Sequence, residues 1–147
     1  MSPKEFLANI DETAVVQAIQ EAEKETSGEI RVYVSHSKRT DPMAYALRRF
    51  ETLGMTKTKD RNAVLLYLVP KTRSFAIVGD TGVHAKCGEG FWKEACAEFT
   101  RAAHDQSLTE AIVRTIRKIG RLLAEHFPCQ PGDINELPDS IDQSEED

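Results

Sequence analysis

Three apolar runs set the pattern of the chain. In the first, Ile30, Val32 and Val34 alternate with Arg31 and Tyr33. That period of two predicts a strand over residues 30–35 with one apolar and one amphipathic face. The second, residues 63–69, is apolar at every position. A strand apolar on both faces belongs in the interior of a sheet, with helices on each side. The third, residues 75–78, follows the short polar connection Pro70-Lys71-Thr72-Arg73. Strands joined so closely must be antiparallel neighbours.

The intervening segments carry helical periods. Asp11 stands to cap a helix over residues 12–26, in which Val15, Val16, Ile19 and Ala22 form an apolar stripe. Gly28 is placed for its left-handed C-cap. Asp41-Pro42 is a second helix start, and Met43, Leu47, Phe50 and Leu53 recur at helical spacing before Gly54 ends the element. Residues 55–60 alternate threonine and lysine and read as an exposed loop. Beyond the third strand, residues 83–88 read as a helical turn, and Phe91, Ala95, Phe99 and Ala102 mark a third long helix. Ser107 and Glu110 form a capping box for a fourth, whose apolar face runs from Leu108 through Ile112, Ile116, Ile119 and Leu123 to Phe127.

The first strand reaches the second through a helix, so these two are expected to be parallel, with a right-handed crossover. The fold class is therefore α/β. It is a three-layer α/β/α sandwich with a short mixed sheet of three to four strands and helices on both faces. No internal repeat is present.

Composition narrows the function classes. At 147 residues, 40% hydrophobic and 29% charged, the chain suits one ordinary core. Its longest apolar run, about eight residues, is far short of a membrane span, and the first residues lack the apolar block of a secretory signal. Membrane insertion is not expected. Cys87, Cys96 and Cys129 are an odd number at wide spacing, which fits a reducing compartment. A cytoplasmic monomer is the expectation.

The net charge of −5 is unevenly placed. Residues 128–147 hold seven acids (Asp133, Glu136, Asp139, Asp142, Glu145, Glu146 and Asp147) and no lysine or arginine. The other 127 residues have 19 basic and 17 acidic side chains, a net +2. The division is thus a domain over 1–127 and an acidic tail over 128–147. Ile134, Leu137 and Ile141 fit a tail partly packed on the domain, with its end loose. A near-neutral body has no electrostatic footprint for nucleic acid.

Candidate chemistry is sparse. Asp80, between Gly79 and Gly82, leaves the third strand, while Glu29 and Asp60 precede the first and second. The topology brings all three carboxylates to one sheet edge, the amino-terminal edge of the parallel pair. They are the candidate ligands for a hard divalent cation, calcium or magnesium. The competing reading of Asp80 is an aspartate that caps a turn. The run Gly79 to Gly82 lacks the spacing of a dinucleotide fingerprint. His84, Cys87 and Asp80 are close in sequence, but nothing supplies the oriented third partner and oxyanion donors of acyl transfer. Arg114, Arg117, Lys118 and Arg121 make a basic face on the last helix. It would receive phosphate or, at lower cost, the tethered acidic tail. Arg48-Arg49 and Lys57, Lys59 and Arg61 read as solvated surface. Trp92 reads as a packing anchor.

The order and spacing of Thr26-Ser27-Gly28-Glu29-Ile30, Arg61-Asn62-Ala63-Val64-Leu65-Leu66, Phe75 to Asp80, and the ending Ile134-Asn135-Glu136-Leu137-Pro138-Asp139 resemble the TPM domain family over roughly residues 5–140. The ending is similar to that of small soluble bacterial members. The resemblance implies the same α/β/α sandwich. It implies three kinds of activity: a plant member tied to photosystem repair and described as an acid phosphatase, an animal member that is an accessory receptor-channel subunit, and bacterial members that bind calcium or magnesium through acidic residues. Many bacterial relatives also carry a signal peptide and a transmembrane helix, and neither is expected from this sequence. Asp80 and the residues leading into the strands are the positions that match.

Three functions follow, in this order. The first is a non-enzymatic interaction module with a protein partner and weak divalent-cation binding. The second is a metal-assisted acid phosphatase acting on phosphomonoesters, and the third a nucleic-acid-binding protein. The catalytic residues of the second are not identified by the sequence.

Overall fold

The computed structural model describes residues 2–38, 40–105, 107–129 and 141–144. Its sheet is built on β2 (Ala63–Val69). All seven β2 residues are buried, as a run apolar at every position requires. β1 (Glu29–Ser35) lies parallel to β2, with Glu29 opposite Ala63 and Val34 opposite Leu68. β3 (Ser74–Gly79) returns antiparallel on the other side, with Val69 opposite Ser74 and Val64 opposite Gly79. A fourth strand, β4 (Ile141–Ser144), runs parallel to β1 along Val32–Ser35, giving the order β3-β2-β1-β4. The sheet is mixed and four-stranded.

Alternation along the strands divides the interior into two cores. Ile30, Val32, Val34, Val64, Leu66, Leu68 and Ile77 face the larger one. Against them pack α2 (Glu12–Glu23), α4 (Thr81–Asp105) and α5 (Leu108–His126). α5 supplies its continuous face of Ile112, Ile116, Ile119 and Leu123, all fully buried. The opposite face of the sheet carries Tyr33, Leu65, Tyr67, Ala76 and Val78. It is covered by α3 (Pro42–Thr52) through Ala46 and Phe50. Helices on both faces make this the α/β/α sandwich that the sequence implies.

The caps are where the short polar residues put them. Asp11 accepts from the Ala14 amide at 3.1 Å, and Ser107 Oγ accepts from the Glu110 amide at 3.1 Å. The Glu110 carboxylate accepts from Arg114 Nε at 3.0 Å, so its side chain is engaged one turn onward. Gly54, with φ 74°, takes the left-handed turn that ends α3. Gly88 breaks the path of α4 with φ 71° and ψ −172°, a conformation essentially confined to glycine. The break separates the turn expected over residues 83–88 from the helix expected beyond Phe91.

Several local expectations fail, each for a packing reason. A short helix, α1 (Pro3–Ala8), precedes the first expected one, and its Phe6 is buried. α2 ends at Glu23 with right-handed Lys24 as its cap, so Gly28 is not a C-cap. Gly28 serves close approach instead, since a Cβ there would lie 2.9 Å from Leu123 Cδ1 and 3.2 Å from the Asn62 carbonyl. Residues 55–60 are not an open loop. Met55–Lys57 is a 3₁₀ turn that places Met55 fully inside the second core, and Thr58 is buried too.

The amphipathic face of β1 is also buried. Tyr33 stacks on Tyr67 with ring centroids 5.5 Å apart, and the Arg49 guanidinium lies 4.8 Å over the Tyr33 ring. Ile134 and Leu137, part of the expected tail packing, lie outside the described residues, as do Glu145, Glu146 and Asp147 of its expected loose end.

Candidate functional site

The hairpin register decides what surrounds Asp80. With Val64 opposite Gly79, the next pair outward is Ala63 and Asp80, and the Asp80 amide donates to the Ala63 carbonyl at 3.0 Å. Asp80 is therefore held at the sheet edge, only 5% exposed, at the point where α4 begins. Its Oδ1 accepts from the Thr81 amide at 2.7 Å, and its backbone carbonyl accepts from Val83 at 3.0 Å and His84 at 3.2 Å. These bonds seat the first turn of the helix on the strand end.

Arg61 closes the carboxylate from the other side. Its Nε donates to Asp80 Oδ2 at 2.6 Å and its Nη2 to Oδ1 at 2.8 Å, a bidentate pair. The hydrogen bond to Asp80 raises the Arg61 pKa, desolvation opposes it, and the Asp80 charge adds to the rise. The pair thus favours the charged form of Arg61. Two backbone features aim it: a left-handed φ of 51° and a carbonyl that accepts from the Gly82 amide at 2.8 Å. The side chain of Arg61 is 46% exposed and that of Asp80 4%, so one partner faces water and the other does not.

Glu29 lies at the same edge, as the topology requires, opposite Ala63 and only 3% exposed. Two inter-strand steps separate it from Asp80, about 9–10 Å of backbone. Asp60 is exposed. The carboxylates share an edge without sharing a centre. Among the described residues no group of three or more His, Cys, Asp or Glu side chains could hold a metal ion together. A cation at Asp80 would need Arg61 to withdraw.

His84 and Cys87 do not join Asp80. His84 Nδ1 accepts from the Trp92 indole at 3.2 Å, and Trp92 lies over Gly79, where a Cβ would stand 2.9 Å from its Cζ2. Cys87 lies toward α5, in a cleft it shares with Glu94, Glu125 and His126. Burial raises its pKa and the Glu125 charge adds to the rise, with Lys86 acting the other way. Burial likewise raises that of Cys96. Thiols held protonated are poor nucleophiles. Iodoacetamide at neutral pH should therefore modify exposed Cys129 first, with Cys87 and Cys96 lagging. Peptide mass spectrometry reads the order, and prior labelling of Cys87 would mark it as an activated thiol.

The basic face of α5 is partly paired within the body. Arg114 bonds Glu110, and Lys118 Nζ lies 3.4 Å from Glu94. Arg117 and Arg121 line a groove of about 440 Å³ that Glu21 of α2 and Glu25, just beyond its end, also line. Its mixed charge does not single out phosphate. No described helix is long and apolar enough to cross a membrane.

A family model described as the TPM domain matches residues 1–122. The chain belongs to the TPM domain family. This TPM domain is similar in structure to the BA42 protein of the psychrophilic bacterium Bizionia argentinensis, with a TM-score of 0.84 and 35% identity. The match covers 90% of this chain and 92% of that one. Two more distant structures share the fold. The N-terminal domain of cg2496 from Corynebacterium glutamicum has a TM-score of 0.58 at 15% identity, covering 88% of this chain and 75% of that one. An N-terminal domain from P. gingivalis has 0.57 at 13%, covering 78% and 76%. Among curated proteins there is no match.

Sequence reasoning placed Asp80, Asp60 and Glu29 at one edge but missed Arg61, which read as solvated surface. The signal was available. Counting outward from the 70–73 connection sets Ala63 opposite Asp80, and the chain just before Ala63 carries Arg61.

Proposed function

We propose that this TPM domain is a non-enzymatic interaction module, monomeric and cytoplasmic, that binds a protein partner and weakly takes calcium or magnesium at its carboxylate edge. Asp80 would be the ligand, and Asp60 and Glu29, at the same edge without sharing its centre, would add negative charge that draws the cation there. The observation that supports this reading is the asymmetry of the Arg61–Asp80 pair. A carboxylate 4% exposed needs a counter-charge, whereas an arginine side chain 46% exposed can turn into water. Arg61 then stands where a divalent cation would be held, and the two exchange.

Amide NMR titration with calcium and with magnesium tests it. Saturable shifts over residues 79–84 are expected in the wild type, with tighter binding in Arg61→Gln, where the competing cation is gone. Shifts confined to residues 133–147 in both proteins would reduce the effect to acids collecting ions.

The alternative is a metal-assisted phosphatase acting on phosphomonoesters. The same exchange favours it, because a released Arg61 presents a planar fork that suits phosphate oxygens. Phosphate release that needs the cation and disappears in Asp80→Asn would establish it. Cation binding with no release supports the module.

A further inference from the structure

The opposite edge of the sheet differs in chemistry from the Asp80 edge. Where β2 ends and the 3₁₀ turn Pro70–Thr72 leads into β3, the structure holds a cavity of about 350 Å³. Phe6 of α1, Leu68 of β2, Phe75 of β3, Phe99 of α4 and Leu108 of α5 wall it. Phe75 and Phe99 form one corner, with ring centroids 4.4 Å apart. This is the carboxyl edge of the parallel pair, the side on which open α/β sheets bind ligands. Asp80 lies at the other edge. The volume falls at the small end of the range for small-molecule pockets, about 300–1,000 Å³, and the lining is mostly apolar with few polar groups, as such pockets are.

Among the described lining residues one side chain is charged, Arg73. It is exposed and forms no ion pair or side-chain hydrogen bond with another described residue. Its backbone is left-handed, φ 53° and ψ 41°, at the hairpin position where glycine or asparagine is the ordinary choice. An arginine is thus tolerated against its backbone preference at the cavity mouth. The neighbouring hydroxyls of Thr72 and Ser74 bond each other at 2.7 Å.

We propose that this cavity binds a small organic monocarboxylate, its alkyl or aryl body among Phe6, Phe75 and Phe99 and its carboxylate on the Arg73 guanidinium. An apolar well with one cation at its rim, unpaired among the described residues, matches that class. A dianionic phosphate ester would find a single charged side chain among the described lining residues, and a sugar would find too few polar partners.

The test is an amide NMR titration of the full chain with sodium octanoate below its micellar concentration, with 1-octanol as the neutral control. Saturable shifts are expected at Phe6, Leu68, Ser74, Phe75, Ala103 and Leu108. Affinity should fall about fivefold in Arg73→Gln and for octanol, the loss that a solvent-facing ion pair accounts for. Ala103→Trp should abolish binding by filling the cavity, and Leu108→Trp closes it from the α5 side if that variant does not fold. Absence of saturation by about 10 mM, a range reached by very weak ligands, would overturn the proposal. So would equal affinity for octanoate in the wild type and Arg73→Gln, which would leave a greasy hole without anion preference.

Discussion

Replacing Gly82 by alanine is expected to lower the stability of the domain by about 3 kcal/mol or more. A Cβ at this position would stand 2.6 Å from the Arg61 carbonyl oxygen and 3.0 Å from its carbon, with the Asp60 carbonyl oxygen closer still. All three are backbone atoms, so no side chain can swing aside. The Gly82 amide also donates to the Arg61 carbonyl at 2.8 Å, which holds the two segments together. The substitution must push the first turn of α4 away from the residues preceding β2. Separation there also lengthens the Arg61–Asp80 bonds. Urea unfolding should show a lower midpoint with an unchanged slope. A variant within about 0.5 kcal/mol of wild type, the range of an ordinary surface substitution, would mean that these segments are free to part.

Asp80→Ala should cost about 2–3 kcal/mol, the scale of hydrogen bonds to a charged group together with the loss of a helix-start acceptor. Two charge-assisted bonds from Arg61 and one from the Thr81 amide disappear together. The loss stops short of the larger penalty for a stranded buried charge, because the partner left behind is the half-exposed arginine, which rehydrates. For a domain of this size the midpoint of thermal unfolding should fall by roughly 4–12 °C. Asp80→Asn should fall between the two proteins, since an amide oxygen can still accept from Thr81 or Arg61. An Asp80→Ala protein as stable as wild type would reduce the pair to a surface ion pair and remove the counter-charge argument for a cation at this edge.

Most of the sheet was legible because its strands differ in pattern. A run apolar at seven positions could only be interior, and four connecting residues could only close a hairpin. Helix starts were legible where a capping aspartate or serine precedes an apolar period, as at Asp11, Asp41 and Ser107. Shorter or irregular elements were not. The six residues of α1 hold too little period to distinguish them from coil, and its burial depends on Phe6 meeting the core. Met55 sits among threonines and lysines, and only the left-handed turn at Gly54 sends it inward.

The candidate edge was legible in outline and not in content. Strand directions alone gathered Glu29, Asp60 and Asp80 at one side. The decisive contact joins residues 19 apart in sequence through a hairpin register, and composition cannot display that. The cavity at the other edge was invisible for a similar reason. Its walls come from α1, β2, β3, α4 and α5, and each wall residue alone looks like ordinary core.

Among the described residues, β4 pairs with β1 along Val32–Ser35. Every residue of β1 is buried, so the strand beneath that cover offers backbone donors and acceptors from a ribbon sheltered from water. Such a ribbon, once bared, is a template for any passing chain. A chain that stops at Phe127 loses β4 and, with it, Ile141 from the larger core, while the residues of α1 to α5 all remain. It also gains an open flank on which a second copy can lay a strand. β4 is the described part of the acidic C-terminal segment, and while it is paired that flank of β1 is closed to a neighbouring molecule along Val32–Ser35.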